Sequence, residues 1–360
     1  MEAVMLFKLT AQPLFLVLLL SLVLGLPLRP SIHAVAHDSA HAQGTPQCTD
    51  LHLQIVYTLV GSAGVFVKTL GAPNGSKLQI PVPTSVPLIP QNIKQFATSP
   101  VAAESGRSAF TVLAILMTNG IYIYDPTTNL ALQLPNQIQG TTQTIQWLRW
   151  FSPNRGDGWA KDPQGNLYIY AMYTIVDTTG TINVWAVKVQ TNGMSLDISA
   201  PIFVTSIAQA STHGFEFGVI QKVPGLIYWD PKYYWTVYKI DNTPNGFSPM
   251  GKQPLAGLFS QVPQELQSAD RVVPSPDSRT LAFIYNYGLW IMDGANKPYR
   301  AAPATNGRIE WLIDHGHRFI LFSNGNDLYV LGDSGQVCQI TLQQGQSLTV
   351  GTYAWYQTAN

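Results

Sequence analysis

PSPDSRTLAFIYNYGLWIMD (274–293) holds the pattern that decides the fold. A polar, Pro-containing turn enters the apolar run Leu281–Tyr285. An Asn286-Tyr287 break and Gly288 follow, then a second apolar run that ends at Asp293. Asp or Asn ahead of a small residue suits a turn that needs a positive φ. Leu281, Phe283 and Tyr285 share one face of the first run at period two, as do Leu289 and Ile291 in the second. Asp293 is expected to cap the exit turn. The stretch reads as turn, strand, tight turn, strand.

The same unit recurs along the chain. Second strands with their exits are GVFVKTLGAPNG (64–75), GIYIYDPTTN (120–129), TINVWAVKVQTNG (181–193), WTVYKIDNTPNG (235–246), GLWIMDGANK (288–297) and DLYVLGDSGQ (327–336). First strands precede them at Leu53–Val60, Thr111–Met117, Leu167–Tyr173, Gly225–Trp229, Leu281–Tyr285 and Arg318–Phe322. Turns ahead of several first strands are Ser152-Pro153-Asn154, Ser275-Pro276-Asp277-Ser278 and Asp314-His315-Gly316. Period-two alternation predicts one inward-packed face per strand. A repeat of roughly 40–60 residues is too thin a sheet to stand alone, so the units stack around an axis. The expected architecture is all-β: a six-bladed β-propeller over 51–360. Seven blades is the alternative, if Thr341–Tyr356 or the Pro-rich 81–100 region holds another.

SPDSRTLAF…GLWIMD resembles the TolB-like, WD40-like repeat on Ser275, Pro276, Asp277, Ala282, Phe283 and Asp293. Ser278 stands where that repeat has Gly, and Pro274 where it often has Trp. Trp150-Phe151-Ser152-Pro153-Asn154 keeps the Trp and the Ser-Pro. The resemblance implies the propeller fold. It implies no particular activity, because propellers host many functions.

Composition narrows the partners. The 360 residues carry 20 basic and 20 acidic side chains, and only 11% of the chain is charged. Nucleic-acid binding relies on clustered Lys and Arg, which this balance does not supply. Anionic membrane surfaces are disfavoured for the same reason. Gly (29), Pro (25), Trp (9) and Tyr (16) fit turns between aromatic strands.

Leu14 to Leu28 is apolar but for Ser21, Gly25 and Pro27, and Ala34-Val35-Ala36 follows it. About 15 apolar residues are short for a bilayer span. The reading is a signal peptide over 1–36, cleaved after Ala36 or at Ala40-His41-Ala42, then a flexible leader over 37–50. The alternative is an uncleaved anchor, the one route to a membrane. Either way the domain is expected outside the cytoplasm, secreted, periplasmic or on the cell surface, and monomeric. The preceding Thr45-Pro46-Gln47 argues against lipidation of Cys48. Cys48 and Cys338 lie at opposite ends of the mature chain. In an oxidising compartment they are expected to form a disulfide that seals the ring.

Several motifs suggest chemistry that their context removes. Gly332-Asp333-Ser334-Gly335 looks like a trypsin-type nucleophile loop, but no His has the protease context, and it falls where other units turn. Asp314-His315-Gly316-His317 aligns with the Ser-Pro-Asp-Ser turn and lacks further zinc ligands. Asp157 and Asp162-Pro163-Gln164-Gly165-Asn166 have oxygen ligands without the EF-hand spacing, so Asx turns explain them. No metal, cofactor or catalytic residue is assigned. Glu216, Asp230 and Glu310 are the carboxylates that a channel-mouth hydrolase or lyase would use, and their separation decides that alternative.

Exposed aromatics are the remaining clue to binding. Trp159 sits in RGDGWAKD with Arg155 and Asp157, and Tyr233-Tyr234-Trp235 cannot all point inward from one strand. Arg155, Asp157, Trp159, Tyr233 and Tyr234 are the candidate ligand-binding residues. The expected role is a non-catalytic binding or scaffold module for a protein, peptide or glycan.

Overall fold

A computed structural model describes residues 48, 51–62, 64–80, 92–104, 107–118, 120–134, 144–153, 158–191, 195–207, 215–220, 223–230, 234–243, 246–255, 262–294, 296–305, 308–342 and 349–356. All belong to the unit Thr45–Asn360. The segments read as signal peptide and leader, up to residue 47, lie outside the described residues. Among those described, no helix is long and apolar enough to cross a membrane.

The chain forms a six-bladed β-propeller. Each blade is an antiparallel sheet of strands A to D, running from the channel outward. Blade 2 is Ile93–Thr98, Leu113–Met117, Gly120–Asp125 and Leu130–Gln133. Blade 3 is Thr144–Phe151, Leu167–Val176, Ile182–Thr191 and Leu196–Ile198, with Ile202–Ile207 continuing the outer pairing. Blade 4 is Phe215–Ile220, Val223–Asp230, Tyr234–Thr243 and Gly246–Pro254. Blade 5 is Arg271–Pro274, Thr280–Tyr285, Gly288–Asp293 and Tyr299–Pro303. Blade 6 is Ile309–Asp314, His317–Asn324, Asp327–Gly332 and Val337–Ile340.

Blade 1 closes the ring. Its inner strand is C-terminal, Val350–Tyr356, while Gln54–Leu59, Val65–Thr69 and Ser76–Lys77 supply the outer three. The 341–356 region therefore completes a blade instead of adding a seventh. Ile93–Thr98, from the other region considered, is the inner strand of blade 2. The strand pairs read from the sequence are strands B and C of all six blades.

The expectation of one buried face per strand is corrected. Leu113–Met117 is buried at all five positions. A propeller blade is sandwiched between two neighbours, so alternate residues feed two different cores. Leu281 and Phe283 join the core between blades 4 and 5, whereas Ala282 and Ile284 join the one between blades 5 and 6. Six apolar cores result, one at each blade-to-blade interface. This mutual burial is what makes the thin sheets stable together.

Cys48 and Cys338 form a disulfide. It ties the residue ahead of blade 1 to the outer strand of blade 6, where Cys48 N–H also donates to the Gln339 carbonyl. Cys48 is buried in the core of the 6–1 seam, and half-buried Cys338 packs against it.

Among the described residues, the Asp293 side chain is used across the blade and the seam and makes no bond to its exit turn. Its Oδ1 accepts from the Thr280 hydroxyl at 2.8 Å and pairs with Arg318 of blade 6 at 3.1 Å. These partners hold its carboxyl below the usual range against burial, which acts the other way.

Candidate functional site

The inner strands run side by side around the axis, each with one edge unpaired by backbone. Such edges need covering. Here side chains from the adjoining blade cover them. Trp355 Nε1 of blade 1 donates to Glu310 O of blade 6 at 2.9 Å. Trp150 Nε1 of blade 3 donates to Ala97 O of blade 2 at 2.8 Å. Trp311 Nε1 of blade 6 donates to Val273 O of blade 5 at 3.2 Å. Thr98 Oγ1 of blade 2 donates to Trp355 O of blade 1. All four point the same way around the ring. The Gln95 amide of blade 2 imitates a strand by bonding both Leu148 O (2.5 Å) and Leu148 N–H (3.2 Å) of blade 3. Between blades 4 and 5 the fit is steric: a Cβ on Gly218 would lie 2.4 Å from Pro274 Cγ.

At the end of the channel where strands A turn into strands B, a cavity of about 410 Å³ opens. All six blades contribute to it. Trp150, Trp311 and Trp355 form its walls with Phe217, Val219 and Ile313. Because the three indole N–H groups are spent on neighbouring carbonyls, the rings present fixed, largely apolar surface.

The lip of this cup is built from Ser-Pro turns. Ser99-Pro100, Ser152 and Ser275-Pro276 all border it, from blades 2, 3 and 5. Each serine is buried and its hydroxyl is used locally. Ser275 Oγ donates to Asp277 Oδ1 at 2.5 Å and accepts from Thr280 N–H at 3.0 Å. Ser99 Oγ accepts from Val112 N–H at 2.9 Å, and Ser152 Oγ donates to Gly158 O. At Ser275 and Ser99 the short hydroxyl satisfies an amide at the entry to strand B, a structural role for the motif, whereas at Ser152 it is spent on the Gly158 carbonyl. Ser278 has a φ of 59°, as the turn requires.

The floor of the cup is charged. Arg149 grips Glu216 bidentately, Nε to Oε2 at 2.5 Å and Nη2 to Oε1 at 2.7 Å. Its Nη1 lies 3.8 Å from Glu310 Oε1, which also accepts from Arg308 Nη2 at 2.6 Å. Arg308 bonds Thr352 Oγ1 at 3.1 Å and Phe96 O. Burial opposes the Arg149 charge, but Glu216 and Glu310 outweigh it and hold that guanidinium above its usual range. Burial holds Arg308 below its own usual value, against the pull of Glu310. Tyr353 O–H donates to Arg308 O at 2.6 Å, and burial pushes its phenol up to about 12.

The sequence-predicted residues divide. Glu216 and Glu310 do converge, with Arg149 between them. Asp230 closes the B–C hairpin of blade 4, opposite Tyr234, at the end of the blade away from the A–B turn that borders the cup. Trp159 is 7% exposed, so its exposure in a loop is corrected: Nε1 donates to Pro100 O at 2.9 Å and the ring meets Phe110, propping the lip from behind. Arg155 and Asp157 lie outside the described residues, between Ser152 and Gly158, which both border the cup. Tyr233 also lies outside them, and Tyr234 is described only through its backbone. Trp235 is buried, with Nε1 on Ala269 O at 2.8 Å.

Gly332–Gly335 and Asp314–His317 are hairpin turns, with positive φ at Gly335, His315 and Gly316. Among the described residues no group of three or more His, Cys, Asp or Glu side chains is placed to hold a metal. Arg149, Arg308, Trp311 and Trp355 went unremarked in the sequence. The available signal was a Trp placed just ahead of the A–B turns of blades 3 and 6, and one near the end of the Val350–Tyr356 strand.

Fold and site together define a six-bladed β-propeller with a cup at the turn end of its channel. Among solved structures, TolB from Acinetobacter baumannii is 12% identical over 88% of this chain and 69% of its own, with a TM-score of 0.46. The WD40 domain of SCAP from fission yeast is 12% identical over 65% of this chain and 52% of its own, with a TM-score of 0.33. A chain of the nidogen/laminin complex is 9% identical over 85% of this chain and 99% of its own, with a TM-score of 0.43. No protein-family model and no curated protein sequence matches the chain.

Proposed function

We propose that this chain is an exported, non-catalytic binding propeller that takes an apolar segment of a protein or peptide into the cup. The observation that carries this reading is the state of the cup's polar groups. The indole N–H groups and the lip serines are spent inside the fold. A glycan would need several free donors and acceptors, whereas an apolar side chain needs the fixed rings that are there. Both Glu216 oxygens are occupied by Arg149, which supports binding over the hydrolase or lyase alternative. Export is supported by the disulfide and by the apolar run ahead of the domain.

The test screens a displayed peptide library and a glycan array with the Thr45–Asn360 unit, and in parallel with Ile313→Glu. Ile313 is half-buried on the cup wall, so this change sets a charge among the rings. Peptide ligands rich in aromatic or aliphatic residues that lose Ile313→Glu are the expected result. Ligands that bind both chains equally, or binding confined to glycans, would refute the reading.

A further inference from the structure

A second cavity, of about 100 Å³, opens between blades 5 and 6. It lies where strands C of both blades run into their C–D turns. In an antiparallel blade that is the end that also carries the A–B turns, so this cavity and the cup share one face of the ring. Its floor is the end of the 5–6 core: Ile291, Ile320 and Leu331, with Trp311 packed against them. Its rim is polar. Asp293 stands on the blade 5 side, Arg318 and Asp333 on the blade 6 side. Tyr299, 52% exposed, flanks them from the outer strand of blade 5. Trp311 belongs both to this cavity and to the wall of the cup.

The rim is short of cation. Two carboxylates and one guanidinium line the cavity. Beyond it Asp277 acts on Arg318 and Arg279 acts on Asp293, so the wider count is three carboxylates to two guanidiniums. His317 Nδ1, 3.4 Å from Asp333 Oδ2, adds charge only when protonated. Arg318 is engaged on both sides: Nη1 bonds Thr280 Oγ1 and Asp293 Oδ1, and Nε lies 3.4 Å from Asp333 Oδ1. The Arg318 backbone N–H donates to Asp333 Oδ2 at 2.9 Å. Asp293 Oδ1 also takes the Thr280 hydroxyl, whereas Oδ2 makes no hydrogen bond among the described residues, and this side chain is 50% exposed. An open carboxylate oxygen, an aromatic ring beside it and an apolar floor are the parts a lysine side chain uses, its head on the oxygen and ring, its stem on the floor. We propose that this cavity binds the ammonium group of a lysine on a protein or peptide partner, with Asp293 Oδ2 as acceptor, Tyr299 beside it, and the stem on Ile291, Ile320 and Leu331. One open oxygen favours this point charge over an arginine, whose planar fork asks for two. Because Trp311 is shared, a segment held in the cup has this cavity as its neighbour; the inference itself does not depend on the cup having a ligand.

The experiment titrates the isotope-labelled chain with N-acetyl-lysine methylamide and with its uncharged isostere, N-acetylnorleucine methylamide, at constant ionic strength. Tryptophan indole N–H signals are followed by NMR, and the Trp311 signal is identified by its absence in Trp311→Phe. The expected result is a saturable shift of that signal with the lysine compound alone. Its dissociation constant should rise about tenfold in Asp293→Asn, which removes the charge and keeps the shape, and about two- to fivefold in Tyr299→Ala. No shift, an equal shift with the norleucine compound, or an affinity that neither variant changes overturns the proposal. N-acetylarginine methylamide binding more tightly than the lysine compound overturns the choice of lysine. Tyr299 is exposed and outside the ion network, so Tyr299→Ala decides alone should Asp293→Asn not fold: weakened binding sustains the proposal, and unchanged binding refutes it.

Discussion

Arg149 and Glu216 join blades 3 and 4 through two parallel hydrogen bonds, and both side chains are buried. A pair of this kind is costly to break and inexpensive to replace, because desolvation offsets most of its attraction. Glu216→Ala strands a buried guanidinium and is expected to cost about 3–5 kcal/mol in urea unfolding. The apolar double change Arg149→Met with Glu216→Leu is expected to recover most of that loss. A double variant as unstable as the single one would show that the pair is worth more than its packing volume.

The tryptophan ties make a gentler prediction. Trp311→Phe keeps an aromatic ring in the cup wall and leaves Val273 O without its donor. The expected loss is about 0.5–1.5 kcal/mol, the range for one hydrogen bond, plus a small cavity term. Trp150→Phe and Trp355→Phe test the same device at two other seams. Denaturation midpoints that do not move would mean that the indole N–H groups contribute nothing to ring closure.

Gly218 faces Pro274 across the 4–5 seam, where no side chain is accommodated. Gly218→Ala is expected to destabilise by about 1–3 kcal/mol through overpacking. Pro274→Ala in the same chain should relieve it, since Pro274 Cγ is the atom in the way. An additive loss in the double variant would place the strain in the backbone instead.

Much of this architecture was legible because strands B and C are buried on both faces and bounded by turns. Leu281–Tyr285 and Gly288–Asp293 show this directly, and six such pairs pointed to six blades while a seventh stayed open until the inner strands were placed. The inner strands were hard to see. Arg271–Pro274 has four residues, and Thr144–Phe151 mixes Gln, Arg and Trp because one edge faces the channel. The floor of the cup was hidden for a related reason. Glu216 and Glu310 come together only through ring closure, and their arginine partners are not neighbours in any sequence window. Trp159 misled because a Gly-Asp-rich loop suggests exposure, whereas the lip folds back over the ring.

The disulfide pins the 6–1 seam of a ring that backbone pairing within blade 1 already closes. Val350–Tyr356 is hydrogen-bonded to Gln54–Leu59 along the strand, a pairing in which neither Cys48 nor Cys338 takes part. Cys48→Ser with Cys338→Ser is therefore expected to leave a folded propeller that is less stable by about 2–5 kcal/mol, chiefly because its unfolded chain is freer. Circular dichroism should show native strand content with a lower melting temperature. Loss of the fold at room temperature would mean that strand pairing alone cannot hold the ring shut.

Alkali should loosen the ring through its buried phenols. Burial pushes Tyr173 and Tyr353 up to about 12 from an ordinary 10.0, and burial also raises Tyr356. A phenol with a raised folded-state pKa binds its proton more tightly in the fold than in the open chain. Its contribution is fully present below pH 10 and is lost as pH climbs toward 12, on the order of 3 kcal/mol per phenol. Phenolate absorbance of the native chain should therefore show a late-titrating group that Tyr353→Phe and Tyr173→Phe each reduce, with unfolding midpoints that fall over the same interval. Native tyrosines that all ionise near 10, with stability unchanged to pH 12, would contradict the burial on which the seams depend.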